Sequence, residues 1–439
     1  MRGIKIKPPK VKFGDDTIIE LNPGDKLCFM RKQDKRILGW DAEPVHVPKR
    51  KITVGVFADK NLNRKSLLKF LQRIKTGHTS RTGKWEFPGI EKMFRVTLAL
   101  PEKPDDINTL DALWQTRLSD HDVTLIVSSN ERIRGKEVIR IRLFEHGLPN
   151  KFLVFSNEIV GKIHIIYSVG RGLIARAGHF IPYTLHDDAV TPLKELMGND
   201  TKLIFIDSTI IPGFISGSVY LGTAAIVCDP SGVANDVLVI PHKSEWDKLS
   251  AAIRKLDEKD LLNTNAIFCV HGHVSASDRE FFEAKMKSHG QWILIEATRE
   301  SLDPQIVREI GGNTPWGYGL EAANGRKYIL NLTWYPEKIR GIVRPLIVRF
   351  RIDPFDDPGL RRAIVKNLAW SPVLSPEAPV RFPSTPYNLY LADRLCKLLY
   401  RLFEALRRPG EEISVLNRII NSLEILIKVK GGFPLLIHG

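Results

Sequence analysis

"NAIFCVHGHVSASDREFFE", residues Asn265 to Glu283, is the stretch on which the reading of the fold turns. Ala266 to Val270 is an unbroken apolar run, the pattern of a buried strand, and it ends at His271-Gly272-His273. Ser275 and Ser277 follow as caps for a helix. Two histidines around a glycine at a strand end suggest a metal site. The question is whether this turn is a catalytic centre or the place where one used to be.

Upstream, "TKLIFIDSTII" reads as another buried strand, followed by "SGSVYLGTAAIVCDPSG" and "NDVLVIPHKSE". Pro and Gly signals between these runs indicate an antiparallel meander. A charged helix, "EWDKLSAAIRKLDEKD", comes before the opening stretch, and "QWILIEAT", "KYILNLTWYP" and "RPLIVRFRID" supply strands after it. The chain ends in helices, "NLYLADRLCKLLYRLFEALRR" and "ISVLNRIINSLEILIKV". Three strands, a helix, a strand and then helices is the order of a ribonuclease-H-like sheet, and residues 196–439 are assigned to it.

Residues 51–195 have a different texture. "KITVGVFAD", "MFRVTLAL", "HDVTLIVSS" and "KFLVFS" read as strands. "NRKSLLKFLQRIKTG", "INTLDALWQTRLSD" and "KEVIRIRLFEHG" read as helices between them, and "GRGLIARAG" as the end of a further helix. Such alternation implies right-handed crossovers and a parallel, doubly wound, Rossmann-like sheet. Residues 1–50 are short strand-like pieces broken by "KPPK" and "NPGDK", a lead-in segment rather than a domain. The fold class is therefore α/β, in two domains.

The 439 residues carry 65 Lys and Arg against 50 Asp and Glu, a formal charge of +15. That excess favours polyanionic partners. Cys28, Cys228, Cys269 and Cys396 are scattered without a Cys-x-x-Cys pair, which excludes a zinc ribbon and a disulfide framework and points to a reducing cytoplasm. No run reaches the ~20 apolar residues of a membrane span, and "MRGIKIKPPKVKFGDD" lacks a signal core.

Three pieces of the second half now line up: "LIFIDSTI" with Asp207, "FCVHGHVSASDREFFEA", and "NLYLADRLCKLLYRL" with Asp393. With "GIVRPLIVRF" between the last two, the series resembles the PIWI domain of Argonaute proteins. The parallel unit resembles their MID domain, and "LFEHGLPNKFLV" resembles the MID segment after the guide-binding helix. The resemblance covers about residues 51–439. The length leaves no room for N and PAZ domains, so the chain resembles a short prokaryotic Argonaute.

The resemblance implies a two-Mg²⁺ centre of carboxylates in an active PIWI nuclease. Its first aspartate falls on Asp207 and its last acidic position on Asp393. The second aspartate belongs in the turn that here reads His271-Gly272-His273. No carboxylate occurs there, and imidazole is a poor ligand for Mg²⁺. Asp278 is the nearest acid, and Glu245 and Glu258 are candidates for the family's glutamate finger. The expectation is a remnant centre, dead for cleavage. Zinc on His271 and His273 is a further reading, since residues two apart on an extended strand share a face.

The resemblance also implies a pocket for the 5′ phosphate of a guide. Lys136 and Arg140 are four apart and share a helical face. Lys151 stands where the family commonly has glutamine, and Arg176 where it has lysine. The family's base-stacking residue falls near Lys136, a departure. The C-terminal carboxylate of Gly439, with a Mg²⁺, completes the implied site. Guide RNA, complementary target DNA and a separately encoded effector protein that replaces PAZ are the partners implied. Two other functions compete: an active nuclease that recruits Asp278 and a glutamate, and a membrane-associated scaffold using the amphipathic run Leu395, Leu398, Leu399 and Leu402.

Overall fold

A computed structural model describes residues 1–22, 25–27, 31–32, 37–38, 42–83, 85–107, 120–129, 135–178, 180–212, 219–242, 247–262, 265–299, 316–332, 345–375, 385–408 and 410–430. The chain packs as two compact units. One holds residues 13–17, 26–182 and 401–439; the other holds residues 1–12, 18–25 and 183–400.

In the first of these units, β1 (Lys51–Ala58) lies between β2 (Thr97–Ala99) and β3 (Val123–Ser128), and β4 (Asn150–Val154) lies beyond β3. All these pairings are parallel. Between residues 51 and 182 the described α-helices are α1 (Arg64–Thr76), α2 (Ile90–Phe94), α3 (Lys136–Glu145) and α4 (Ile163–Ala177). β1 and β3 are apolar almost throughout because helices cover both faces of a parallel sheet. Phe57, Ile126, Leu143 and Leu148 form a core under α3, with Ile139 and Phe152 packed against it. The run "MFRVTLAL" is not one strand. Met93 and Phe94 close α2, Arg95 takes a left-handed backbone, and only Thr97–Ala99 pairs. The helix read over "INTLDALWQTRLSD" lies largely outside the described residues.

The long segment of the second unit starts at Tyr183 and its first helix is α5 (Asp187–Met197), so the break in packing falls at Pro182–Tyr183, ahead of the sequence boundary at residue 195. Its sheet contains β5 (Lys202–Pro212), β6 (Val219–Cys228) and β7 (Ala234–His242), then β8 (Ala266–His271) and β9 (Trp292–Thr298). The order is β7-β6-β5-β8-β9, with the first three antiparallel and β5, β8 and β9 parallel. This is the arrangement read from the sequence as ribonuclease-H-like. β10 (Tyr318–Glu321), β11 (Lys327–Leu330) and β12 (Leu346–Ile352) extend the sheet beyond β9. The edge is Arg2–Lys5, antiparallel to β10, so the opening residues belong to this sheet and are more than a lead-in.

Helix α6 (Lys248–Glu258) follows the meander and α7 (Ala276–His289) follows β8. Phe268 of β8, Phe282 of α7 and Trp292 of β9 meet with ring centroids 5.1 to 5.5 Å apart. Their burial fixes the register of β8, which a one-residue slip would turn inside out. α8 (Pro358–Trp370), α9 (Tyr387–Leu406) and α10 (Glu412–Lys430) complete the chain. Leu395, Leu398, Leu399 and Leu402 are buried, so this apolar face of α9 packs inward. No described helix is long and apolar enough to cross a membrane.

Candidate functional site

β5 carries Asp207 near its middle, 5% exposed, and β8 ends beside it at His271. His271 Nδ1 is 3.1 Å from Asp207 Oδ1. The hydrogen bond to Asp207 raises the imidazole above its ordinary value; burial opposes this, while the negative charges of Asp207 and Asp393 add to it. The contact with the carboxylate therefore favours the protonated ring. Lys248, at the head of α6, donates to the His271 carbonyl at 2.9 Å. Asp393 on α9 pairs with Lys397 one turn later, at 2.6 Å. Cys396 donates its thiol to the Asp207 carbonyl at 3.3 Å.

The turn itself departs from the sequence reading. The strand stops at His271, and Gly272 has φ +83°, a left-handed conformation that suits glycine. The two histidines therefore do not share one extended face. His271 turns to Asp207, while His273 turns toward Glu296 of β9, at 3.7 Å. Glu296 is already held by Arg351 at 2.6 Å and accepts from the Val274 amide. Among the described residues, no three His, Cys, Asp or Glu side chains are grouped to hold a metal ion.

Asp278 is elsewhere engaged. Its carboxylate accepts from the amides of Leu249 and Ser250, at 3.2 and 2.8 Å, and so caps α6 across the fold. Its own amide donates to Ser275, the N-cap of α7. Glu258 lies at the end of α6 and pairs with Lys255 at 3.2 Å. Glu245 lies outside the described residues.

A second constellation sits in the other unit. Lys136 Nζ and Arg140 Cζ both lie over the Phe152 ring, 4.9 and 5.1 Å from its centroid. Arg140 is 4% exposed, and its Nε donates to Asn150 Oδ1 at 3.4 Å. Burial and the positive charge of Arg401 pull the guanidinium down to about 10. Lys136 is lowered by burial and by Arg140. Among the described residues neither cation forms an ion pair. The Nδ2 of Asn150 is buried without a hydrogen-bond partner. A buried cation without a counter-charge among the described residues and an orphaned amide donor both lack the acceptor that such groups ordinarily have.

Asn150, not Lys151, meets Arg140. Successive residues of a strand face opposite ways, so Lys151 turns toward α4. There its side chain and that of Arg176 flank Gly172, and Arg176 donates to the Gly172 carbonyl at 3.1 Å. Gly439 lies outside the described residues. The sequence reading missed Asn150 by one position and missed Arg401 and Lys248 altogether. The signal for Asn150 was available: a residue flanked by Pro149 and an apolar strand, where a buried amide needs a partner.

No protein-family model and no curated protein matches the sequence. The C-terminal lobe of a budding yeast Argonaute matches by structure, with TM-score 0.63, 11% identity, and coverage of 92% of this chain and 89% of that one. The fold is that of an Argonaute C-terminal lobe. A crystal structure of A. aeolicus Argonaute matches over 91% of this chain and 53% of its own, with TM-score 0.57 and 13% identity. An Aa-Ago structure with externally bound siRNA matches over 91% and 54%, with TM-score 0.55 and 12% identity. The chain thus spans about half the length of those Argonautes. The parallel sheet of one unit and the nine-stranded mixed sheet of the other bear out the α/β fold class read from the sequence.

Proposed function

We propose that this chain holds the 5′ phosphate of a small guide strand in its MID-like unit and uses the guide to recognise complementary nucleic acid without cutting it. The carrying observation is Arg140, buried with no carboxylate partner among the described residues, beside the unsatisfied Nδ2 of Asn150. A phosphate supplies the missing charge and the missing acceptor at once, through charge-assisted bonds. Lys136 and Arg401 add positive potential, and Lys151 and Arg176 extend it. The described donors are cations and an amide, a set that fits phosphate oxygens. They do not fit Mg²⁺, which takes oxygen ligands.

The absence of cleavage is supported by the neighbourhood of Asp207. Two-metal catalysis needs carboxylates free to converge on ions about 4 Å apart. Here Asp207 is engaged by His271 and Asp393 by Lys397, so both acids already have protein partners. The guide is RNA and the target DNA in this proposal, which follows the family resemblance; a structural neighbour carries externally bound siRNA, which supports nucleic-acid binding. Output then comes from a separately encoded effector protein that also supplies the PAZ-side half of the channel, in host defence.

Sequencing of nucleic acids that co-purify with the protein tests the reading. Short strands of narrow length with 5′ phosphates, lost in Arg140→Glu, are expected. Random fragments retained equally by Arg140→Glu would contradict it.

A further inference from the structure

The MID-like unit contains a basic cavity that shares no residue with the Arg140 site. It has a volume of about 690 Å³. Its walls come from three segments. Ser66, Lys69 and Arg73 line one face of α1, at helical spacing, while Leu67, Phe70, Leu71 and Ile74 bury the other. His78, Ser80, Arg81 and Thr82 come from the short strand and turn that follow. Asn157 to Lys162 close the third side through a 3₁₀ turn.

Charge in this cavity is one-sided. Lys69, Arg73, Arg81 and Lys162 face one carboxylate, Glu158, which is 84% exposed and 4.0 Å from Lys162. Among the described residues Lys69, Arg73 and Arg81 have no carboxylate partner. Arg73 is anchored by donating Nη1 to the Val160 carbonyl at 2.6 Å, so its remaining N–H groups are held in place. At Gly161 a Cβ would lie 3.8 Å from Arg73 Nη1 and 3.9 Å from His78 Nε2, so the missing side chain leaves the cavity open between these two donors. Burial and the charges of Arg73 and Lys69 hold His78 below its ordinary value, a sign of uncompensated positive potential.

We propose that this cavity is a second phosphate-binding site, one that takes a phosphorylated ligand of nucleotide size through Lys69, Arg73, His78 and Arg81. The hydroxyls of Ser66, Ser80 and Thr82 and the amide of Asn157 supply neutral donors, the mixture that a tetrahedral oxyanion with several acceptor oxygens requires. The volume exceeds that of one phosphate and lies within the range of small-molecule pockets. The phosphate comes either from a free nucleotide or from the backbone of a strand passing over α1.

The test uses the full chain and the double variant Lys69→Glu/Arg81→Glu, whose positions are exposed, alongside Arg73→Gln. One arm titrates a fluorescent ATP analogue into protein preloaded with a 5′-phosphorylated strand. The other measures a 5′-hydroxyl 20-nucleotide strand across salt concentrations. A loss of about tenfold in nucleotide affinity in the double variant assigns the site to a nucleotide. A drop of roughly one in the log–log salt slope for each cation removed assigns it to a strand backbone. Unchanged behaviour of the folded double variant in both arms overturns the proposal. Discrimination between 5′-phosphate and 5′-hydroxyl strands should persist in that variant, because it belongs to the Arg140 site.

Discussion

His271 Nδ1 sits 3.1 Å from Asp207 Oδ1, so an imidazole occupies the side of Asp207 on which the second acid of a PIWI nuclease is expected. The pair has a pH signature of definite sign. The hydrogen bond to Asp207 raises His271 above the ordinary imidazole value of about 6.5. Its contribution to stability is complete below that value and is lost as pH rises through the raised one. Asp207→Asn should move the His271 midpoint down and abolish this alkaline-side loss, as read by NMR titration of the ring and by denaturation over roughly pH 5 to 9. An unchanged His271 midpoint in Asp207→Asn would show that the pair does not exist.

Restoring one acid should not restore cutting. With guide, complementary target and Mg²⁺ or Mn²⁺, wild type and His271→Asp should both bind without a product band. Gly272→Asp adds backbone strain, because φ +83° disfavours a side chain. A cut opposite the middle of the guide, abolished by Asp207→Ala, would reverse the assignment.

Asp278 holds the head of α6, so its removal should register in stability. Removing its carboxylate strands the Leu249 and Ser250 amides at the buried head of α6. Asp278→Ala should cost roughly 1–3 kcal/mol in urea denaturation, the range for a lost cap and unsatisfied buried donors. The cost should be the same with and without divalent metal. A cost that grows when Mg²⁺ is present would instead mark Asp278 as a ligand.

Phe268 is the hinge of the core shared by β8, α7 and β9. Phe268→Ala should cost about 3–5 kcal/mol, since its contacts with Phe282 and Trp292 cannot be replaced by relaxation. A change below 1 kcal/mol, measured the same way, would contradict the packing described.

The strands were legible because parallel strands covered on both faces are written as continuous apolar runs, as in "AIFCV" and "KITVGVFA". The caps of α7 were legible for the same reason, being local. α8 went unread although Asp357 caps it and Pro358 opens it, because Arg361, Arg362 and Lys366 interrupt its apolar pattern. What the sequence could not show was long-range. Asp278 caps a helix that begins thirty residues earlier, and Lys248 reaches the His271 carbonyl. Asn150 and Lys151 differ by one place in a strand, which is enough to send their side chains to opposite faces.

The affinity of the full chain for a 5′-phosphorylated strand, relative to its 5′-hydroxyl twin, tests the central claim most directly. Arg140 and Asn150 predict a preference for the phosphate of at least about tenfold, steepened at low salt and removed in Arg140→Gln/Asn150→Leu. Equal affinity of the folded wild-type protein for the two strands would contradict the account.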